Sequence, residues 1–376
     1  MQQIRLENKF VDNLKDLETR EKEKKFFSTP IKVGLILTVS LFFLLVLFWI
    51  NVFLLTKGQS LTPKELLTVL VFGAKTTEND VVKDSLSIAP VQRSVWICLS
   101  SIFAAIALVI SGCLIQSITQ NPLADTTTLG FINSTIFGII LMKGVISSTI
   151  EASNYHILYF LFALLGGLIT LFILSFLFSK PQNQTQHLKI ILIGLVLNMI
   201  FKTFVFLIKT YNSNAVNASF ALAMGGAENI YGLYTSQFSF LKWCALALLV
   251  LAALSFIFSQ KLNLFELGEE QAKTLGVNVK AFKYFCYTVI LLTTTISIVL
   301  VGNIAFLGLI CSHSVRSLLN TRKYQIIIPV GSVLACVLLL FGTMLNSLFS
   351  FISSSIFILF LGGCVLLSLT LKNKDL

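Results

Sequence analysis

Chemistry needs reactive side chains gathered in one place, and this sequence keeps its few apart. Three histidines, His156, His187 and His313, lie on separate segments with no second metal ligand close by. A lone histidine is more often a packed or capping residue than a ligand. The seven cysteines (Cys98, Cys113, Cys244, Cys286, Cys311, Cys336 and Cys364) form no Cys-x-x-Cys pair and nearly all sit in apolar runs. They read as small buried hydrophobes. No nucleophile–base pair or ligand cluster suits hydrolysis or metal chemistry. The Gly-x(4)-Gly-Lys-Ser/Thr phosphate loop is also absent from the sequence. The expectation is a chain with no catalytic residue, metal or cofactor of its own. Two placements stand out instead. Glu269 and Glu270 open a short charged stretch ended by Gly276, and Lys202 interrupts the apolar run 190–208 four residues after Asn198.

The elements that must hold these residues are membrane helices. Apolar residues make up 56% of the 376 and charged residues only 12%, about half the charge of a soluble domain. A hydrocarbon core about 30 Å thick needs roughly 20 apolar residues at 1.5 Å rise each. The windows 31–55, 95–117, 157–178, 190–208, 243–259, 284–301 and 326–349 meet that length. Shorter or more polar candidates lie near 129–146, 304–319 and 352–371. The predicted fold is all-α, a polytopic membrane bundle of about ten transmembrane helices. It divides into a charged tail over 1–30, a membrane domain over 31–371 and a short tail over 372–376. With the N-terminus inside, 19 of the 28 Lys and Arg fall on inner segments and eight on outer ones. That bias predicts a cell membrane protein with both termini cytoplasmic. The net charge of +11 then reflects this bias and attraction to anionic lipid, not nucleic acid, for which no basic–aromatic groove pattern appears. The head is too long and acidic for a secretory leader, so the first span is expected to be retained. The connection 56–93 carries one amphipathic piece, 61–72, and 209–240 reads as a polar external stretch.

Three segments carry motif-like spacing. In the first, Gln116 precedes Asn121, Pro122, Leu123, Ala124 and Asp125, and Gly130 follows. Asn-Pro breaks a helix, after which Asp125 or Thr126 is placed to cap the next span; an ordinary hairpin has the same features. In the second, within the inner loop 261–283, Leu267 and Gly268 lead into Glu269 and Glu270, which favour the positive end of a short helix. Ala272 and Leu275 add apolar surface and Gly276 suits a left-handed stop. Such a helix fits either a docking knob or a stretch lying on lipid heads. In the third, Gly302 and Gly308 permit close helix approach, and His313 and Arg316 share one face of an inner helix end.

In this order and spacing the three segments resemble the permease subunits of the iron-siderophore, haem and cobalamin family of ABC importers. The family pattern Gln-x(4)-Asn-Pro-Leu-Ala-x-Pro-x-x-Leu-Gly is matched from Gln116 to Gly130, with Thr127 in place of Pro. Its Leu-Gly-x-x-x-Ala-x-x-Leu-Gly coupling helix is matched from Leu267 to Gly276. Its Gly-x-Ile-x-Phe-x-Gly-Leu-x-x-Pro-His-x-x-Arg run is matched from Gly302 to Arg316, with Ser312 in place of Pro. Departures occur near the end. Phe341–Asn346 and Phe351–Ser355 stand where the family usually has Ala-Asp-x-x-Ala-Arg and Glu-Leu-Pro-Val-Gly. Arg93 stands near the family's Arg-Leu-Pro-Arg.

The resemblance implies a ten-span permease that forms a homo- or heterodimer around a translocation path. Two separate ATP-binding subunits would dock on the coupling helices, and an extracellular solute-binding protein would deliver an iron chelate, haem or cobalamin. A bacterial source is expected. Leu267–Gly276 would receive the ATPase, and Asn198 with Lys202 would line the path. A lysine at mid-helix costs about 2.5–3.5 kcal/mol on insertion scales, which a polar path relieves; snorkelling from a span end is the other reading. The alternative function is an ion-coupled secondary transporter, which commonly places Asp or Glu at membrane depth. Here every acidic residue falls in a tail or a connection.

Overall fold

The computed structural model describes residues 30–56, 85–146, 155–178, 184–231 and 238–372. The charged head up to residue 29 and the amphipathic piece 61–72 lie outside them. Everything regular among the described residues is helix. The long elements are α1 (Pro30–Leu55), α2 (Ser85–Thr119), α3 (Phe131–Leu141, continued by a π-turn over Met142–Ile146), α4 (Tyr155–Phe178) and α5 (Gln184–Tyr211). After them come α6 (Ser213–Met224), α7 (Ala227–Ile230), α8 (Phe238–Ile257), α9 (Ser259–Glu266) and α10 (Glu269–Thr274). The chain closes with α11 (Val279–Val301), α12 (Leu307–Leu319), α13 (Tyr324–Leu348) and α14 (Ser354–Lys372).

Among these, α1, α2, α4, α5, α8, α11 and α13 are long and apolar enough to cross a membrane, and they are the seven long windows of the sequence. The three shorter candidates are also helices, but α12 has 13 residues, about 20 Å at 1.5 Å each. Among the described residues, seven helices thus meet both the length and the apolarity of a crossing, where about ten are expected. The sequence reading missed a fourth short apolar helix, Ala215–Met224 within α6, because Asn212, Asn214 and Asn217 make that stretch look like a loop.

Burial sorts the helices into centre and rim. In the most apolar window of α2 and of α11, 78% of the residues are buried, against 6% for α1 and 22% for α5. Helix α2 packs along α11, α12 and α13, while α3 fills the space between α4 and α5. A helix apolar on all sides suits the bundle centre, which is where α2 sits.

Two non-helical stretches enter the bundle, and each must satisfy its backbone polar groups inside protein. The Asn303 amide donates to Leu222 O at 2.9 Å and the Gly226 amide to Val301 O at 2.6 Å, so the ends of α6 and α11 serve each other. The turn 120–130 buries Ala124, Asp125, Thr126 and Leu129. Asp125 does not cap α3. Its Oδ2 accepts from the Phe306 amide at 3.1 Å, tying this turn to the start of α12. The capping expectation fails because the turn carries the chain several residues past Asp125 before α3 begins, and Gly130 occupies the cap position.

Glu228 makes a similar tie at the other broken end. Its Oε1 accepts from the Ser354 amide at 2.8 Å, at the first residue of α14. Burial holds the Glu228 carboxyl above the usual range, a rise that the Ser354 amide offsets only in part.

Candidate functional site

The end of the first motif's helix and the last turns of the third's meet at one end of the bundle, beside the helix α9 that leads into the second. The meeting starts from two glycines. A Cβ on Gly112 would stand 3.0 Å from Gly308 Cα, and one on Gly308 would press onto the Leu108 carbonyl oxygen. Only glycine lets α2 and α12 approach this closely. One turn further along each helix, at i+4, stand Gln116 and Ser312. The close approach brings Gln116 Oε1 within 2.9 Å of both Ser312 Oγ and Arg316 Nη1.

Arg316 extends the network. Its Nη2 donates to Tyr324 Oη at 2.8 Å, and its guanidinium lies 5.4 Å from the Tyr324 ring centroid. The Tyr324 amide donates to Asn263 Oδ1 at 2.8 Å, which joins the start of α13 to α9. Ser117 Oγ donates to Leu262 O at 3.0 Å and Gln120 Nε2 to Phe265 O at 3.1 Å. The end of α2, the last turns of α12, the start of α13 and all of α9 are thereby one hydrogen-bonded platform. A cleft of about 840 Å³ opens in it, lined among others by Gln120, Pro122, Glu266, His313 and Arg316.

On this platform stands α10, built as the sequence suggests. Glu269 and Glu270 occupy its first turn and Lys273 its last. Gly276 adopts φ 84°; its amide donates to Lys273 O and the Val277 amide to Ala272 O, both at 3.0 Å. This pair of bonds closes the helix as a Schellman motif, which needs a left-handed residue at that position. Gly268, at φ 120° and ψ 149°, turns the chain in from α9 through a region open essentially to glycine alone.

The apolar residues divide between two roles. Ala272 is fully buried beneath α10, while Leu267 and Leu275 are each 60% exposed at its two ends. Glu269 also forms an ion pair with Lys283, a buried residue of α11, and the Asn278 side chain caps α11 by accepting from the Ala281 amide at 3.2 Å. The result is a short, braced helix presenting two leucines outward.

The remaining motif residues have local tasks. Asn121 Oδ1 accepts from the Leu123 amide at 2.9 Å, Pro122 is exposed, and Leu123 is half-buried. Gly130 and Gly302 turn the chain at φ 82° and 67°. Sequence reasoning missed Lys283, Asn263 and Tyr324. Only Lys283 left a signal, a cation close to the start of an apolar helix.

Asn198 and Lys202 do not share an environment. Asn198 Oδ1 accepts from Asn133 Nδ2 of α3, whereas Lys202 is exposed on the outer face of α5 among Met199, Thr203 and Phe206.

This chain is similar to proteins named as transport permeases. The chain is 26% identical over 303 residues to a protein named "Probable heme-iron transport system permease protein IsdF" of Staphylococcus aureus, covering 80% of this chain and 86% of that one. It is 28% identical over 372 residues to a protein named as an ABC transporter permease of Methanocaldococcus jannaschii, covering 95% and 99%. A solved structure described as an inward-facing conformation of a metal-chelate type ABC transporter superposes with a TM-score of 0.68, at 21% identity, over 90% of this chain and 99% of that one. That likeness is one of fold. The description of the FecCD transport family matches residues 35–372, a span that contains all three motifs and nearly every helix, and the chain belongs to that family.

Proposed function

We propose that this chain is the membrane-spanning permease subunit of an ABC importer whose cargo is an iron chelate, haem or a cobalamin-type metal compound. The observation that carries the reading is the braced α10 helix with Leu267 and Leu275 turned outward. An ATP-driven permease without a phosphate loop takes its mechanical work from a separate ATPase, and an apolar knob held on a rigid platform suits that contact. The homologous heme-iron permease and the metal-chelate transporter fold support the cargo class.

In the finer reading the bundle crosses the membrane ten times. The three short helices α3, α12 and α14 complete crossings with the non-helical stretches beside them, and both termini lie in the cytoplasm. A second permease subunit, two ATP-binding subunits and an extracellular solute-binding protein make up the working assembly. The exposed apolar face of α5 (Met199, Phe206 and neighbours) is where the path would run, with Lys202 drawing anionic cargo along it.

Two measurements test this. Cells expressing the full importer should lose ferric-chelate uptake on ATP depletion and keep it when an ionophore collapses the ion gradients. The opposite pattern would establish the ion-coupled alternative. Lys202→Met should lower the uptake rate of anionic chelates roughly tenfold, the scale of one desolvated charge contact, while leaving neutral cargo unaffected. Equal rates for both cargoes would remove Lys202 from the path.

A further inference from the structure

The short helix α10 hangs between two glycines. Gly268 precedes it and Gly276 follows it, and a Cβ at either would meet nothing within 4 Å, so packing holds neither turn in place. A helix of six residues joined through such permissive turns would rock when pushed. Attachment to α11 at both of its ends prevents this. At the last turn the chain runs directly into the start of α11, which the Asn278 side chain caps. At the first turn Glu269 reaches across to Lys283, in the second turn of α11. Lys283 is 3% exposed and has the buried Phe282, Cys286 and Tyr287 as neighbours on its helix. An apolar pair often holds such a contact as firmly as a buried ion pair does, so stability alone does not call for a lysine. A buried pair also fixes register, because any sliding or rocking leaves a charge without its partner in apolar surroundings.

Helix α11 is built to carry a displacement onward. Its 23 residues include neither Gly nor Pro, the usual causes of kinks, and they span about 34 Å at 1.5 Å each. At its far end Val301 O accepts from the Gly226 amide, and the Asn303 amide beyond it donates to Leu222 O. Glu228 of α7 in turn accepts from the Ser354 amide at the start of α14. We infer that Lys283 is a positioning residue for transport. With Glu269 it clamps α10 to α11, so that a push on α10 moves α11 as one strut and reaches α6, α7 and α14 at the opposite end of the bundle. The inference rests on the importer reading above and adds to it the route by which the ATPase would act.

Double electron–electron resonance on the permease–ATPase complex tests it without knowledge of the cargo. Spin labels are carried by Ile157→Cys on α4 and Phe351→Cys before α14, positions 50% and 76% exposed, in a chain with Cys364→Ser. With Lys283 intact, trapping ATP with vanadate should shift the label distance by about 2 Å, the scale of helix shifts in switching proteins. Lys283→Met should lose more than half of that shift while binding as much ATPase subunit. Lys283→Met combined with Glu269→Gln removes both charges and should melt no lower than the wild type, yet lose the shift as the single variant does. Lys283→Arg, which keeps the charge, should retain it. A full shift in the single and double methionine variants would overturn the inference, and so would its complete loss in Lys283→Arg. A parallel loss of bound ATPase in Lys283→Met would also overturn it, by placing the lysine in docking. A wild type that binds no ATPase subunit would instead sink the importer reading, and the strut with it.

Discussion

Replacing Leu267 and Leu275 together by aspartate abolishes binding of the ATP-binding subunit and, with it, uptake. Each leucine is 60% exposed, so neither contributes much to the fold, but each would be covered by a docked partner. Fully burying a leucine side chain is worth about 1.5–3 kcal/mol, and an aspartate in the same contact adds the cost of an unpaired charge. The pair should therefore weaken association on the order of 10³-fold or more. Because Ala272, the Schellman bonds and the Glu269–Lys283 pair are untouched, the melting temperature of the permease should stay within about 2 °C of wild type. Copurification of a tagged ATPase subunit reads the first quantity and a thermal scan in detergent reads the second. Undiminished copurification would remove α10 from the interface. A variant that melts early would instead show that the leucines pack within the permease.

Gly308→Val is expected to have the largest effect on folding. The added Cβ presses onto a backbone carbonyl of α2 and lies 3.2 Å from Gly112 Cα, so no side chain can rotate out of the way. Overpacking against yielding side chains costs about 1–3 kcal/mol; against backbone, two helices must part. Parting them also breaks both bonds to Gln116 Oε1 and leaves buried polar groups unpaired, at about 1–3 kcal/mol each. The sum is on the order of 5 kcal/mol, enough to consume most of a typical folding free energy. Fluorescence-detected size exclusion of a fusion protein should show little monodisperse material. Gly363→Ala, which meets nothing within 4 Å, serves as the control and should elute as wild type. A monodisperse Gly308→Val of normal stability would mean that α2 and α12 do not depend on this contact.

Much of this was legible beforehand because membrane helices declare themselves one segment at a time. The seven long spans follow from apolar length alone, since a chain in lipid has no other way to satisfy its backbone. The short helix α10 was legible for a different reason. Glutamates at its start, a glycine at its stop and alanine between leucines are local signals that act within six or seven residues. Legibility ended where a residue's partner lies far away in sequence. Asp125 looked like a cap for the next helix, but its acceptor oxygen serves Phe306, 181 positions on. Asn198 and Lys202 share one side of α5, being four residues apart, but only the tertiary structure shows that α3 half-covers the first and leaves the second exposed. The helix α6 was hidden because its asparagines imitate a loop.

Sequence by itself determined the class of molecule, a polytopic membrane protein, and the shape of the short helix α10 that would serve as the knob. Both depend on composition and on contacts within a turn or two of helix, where neighbours along the chain are also neighbours in space. Tertiary structure alone decided that Gln116, Asn263, Arg316 and Tyr324 form one platform beneath that knob. Those residues lie on α2, α9, α12 and α13, and nothing in their spacing says so. They meet because Gly112 and Gly308 let two backbones come close enough for a single amide oxygen to accept from a serine and an arginine at once.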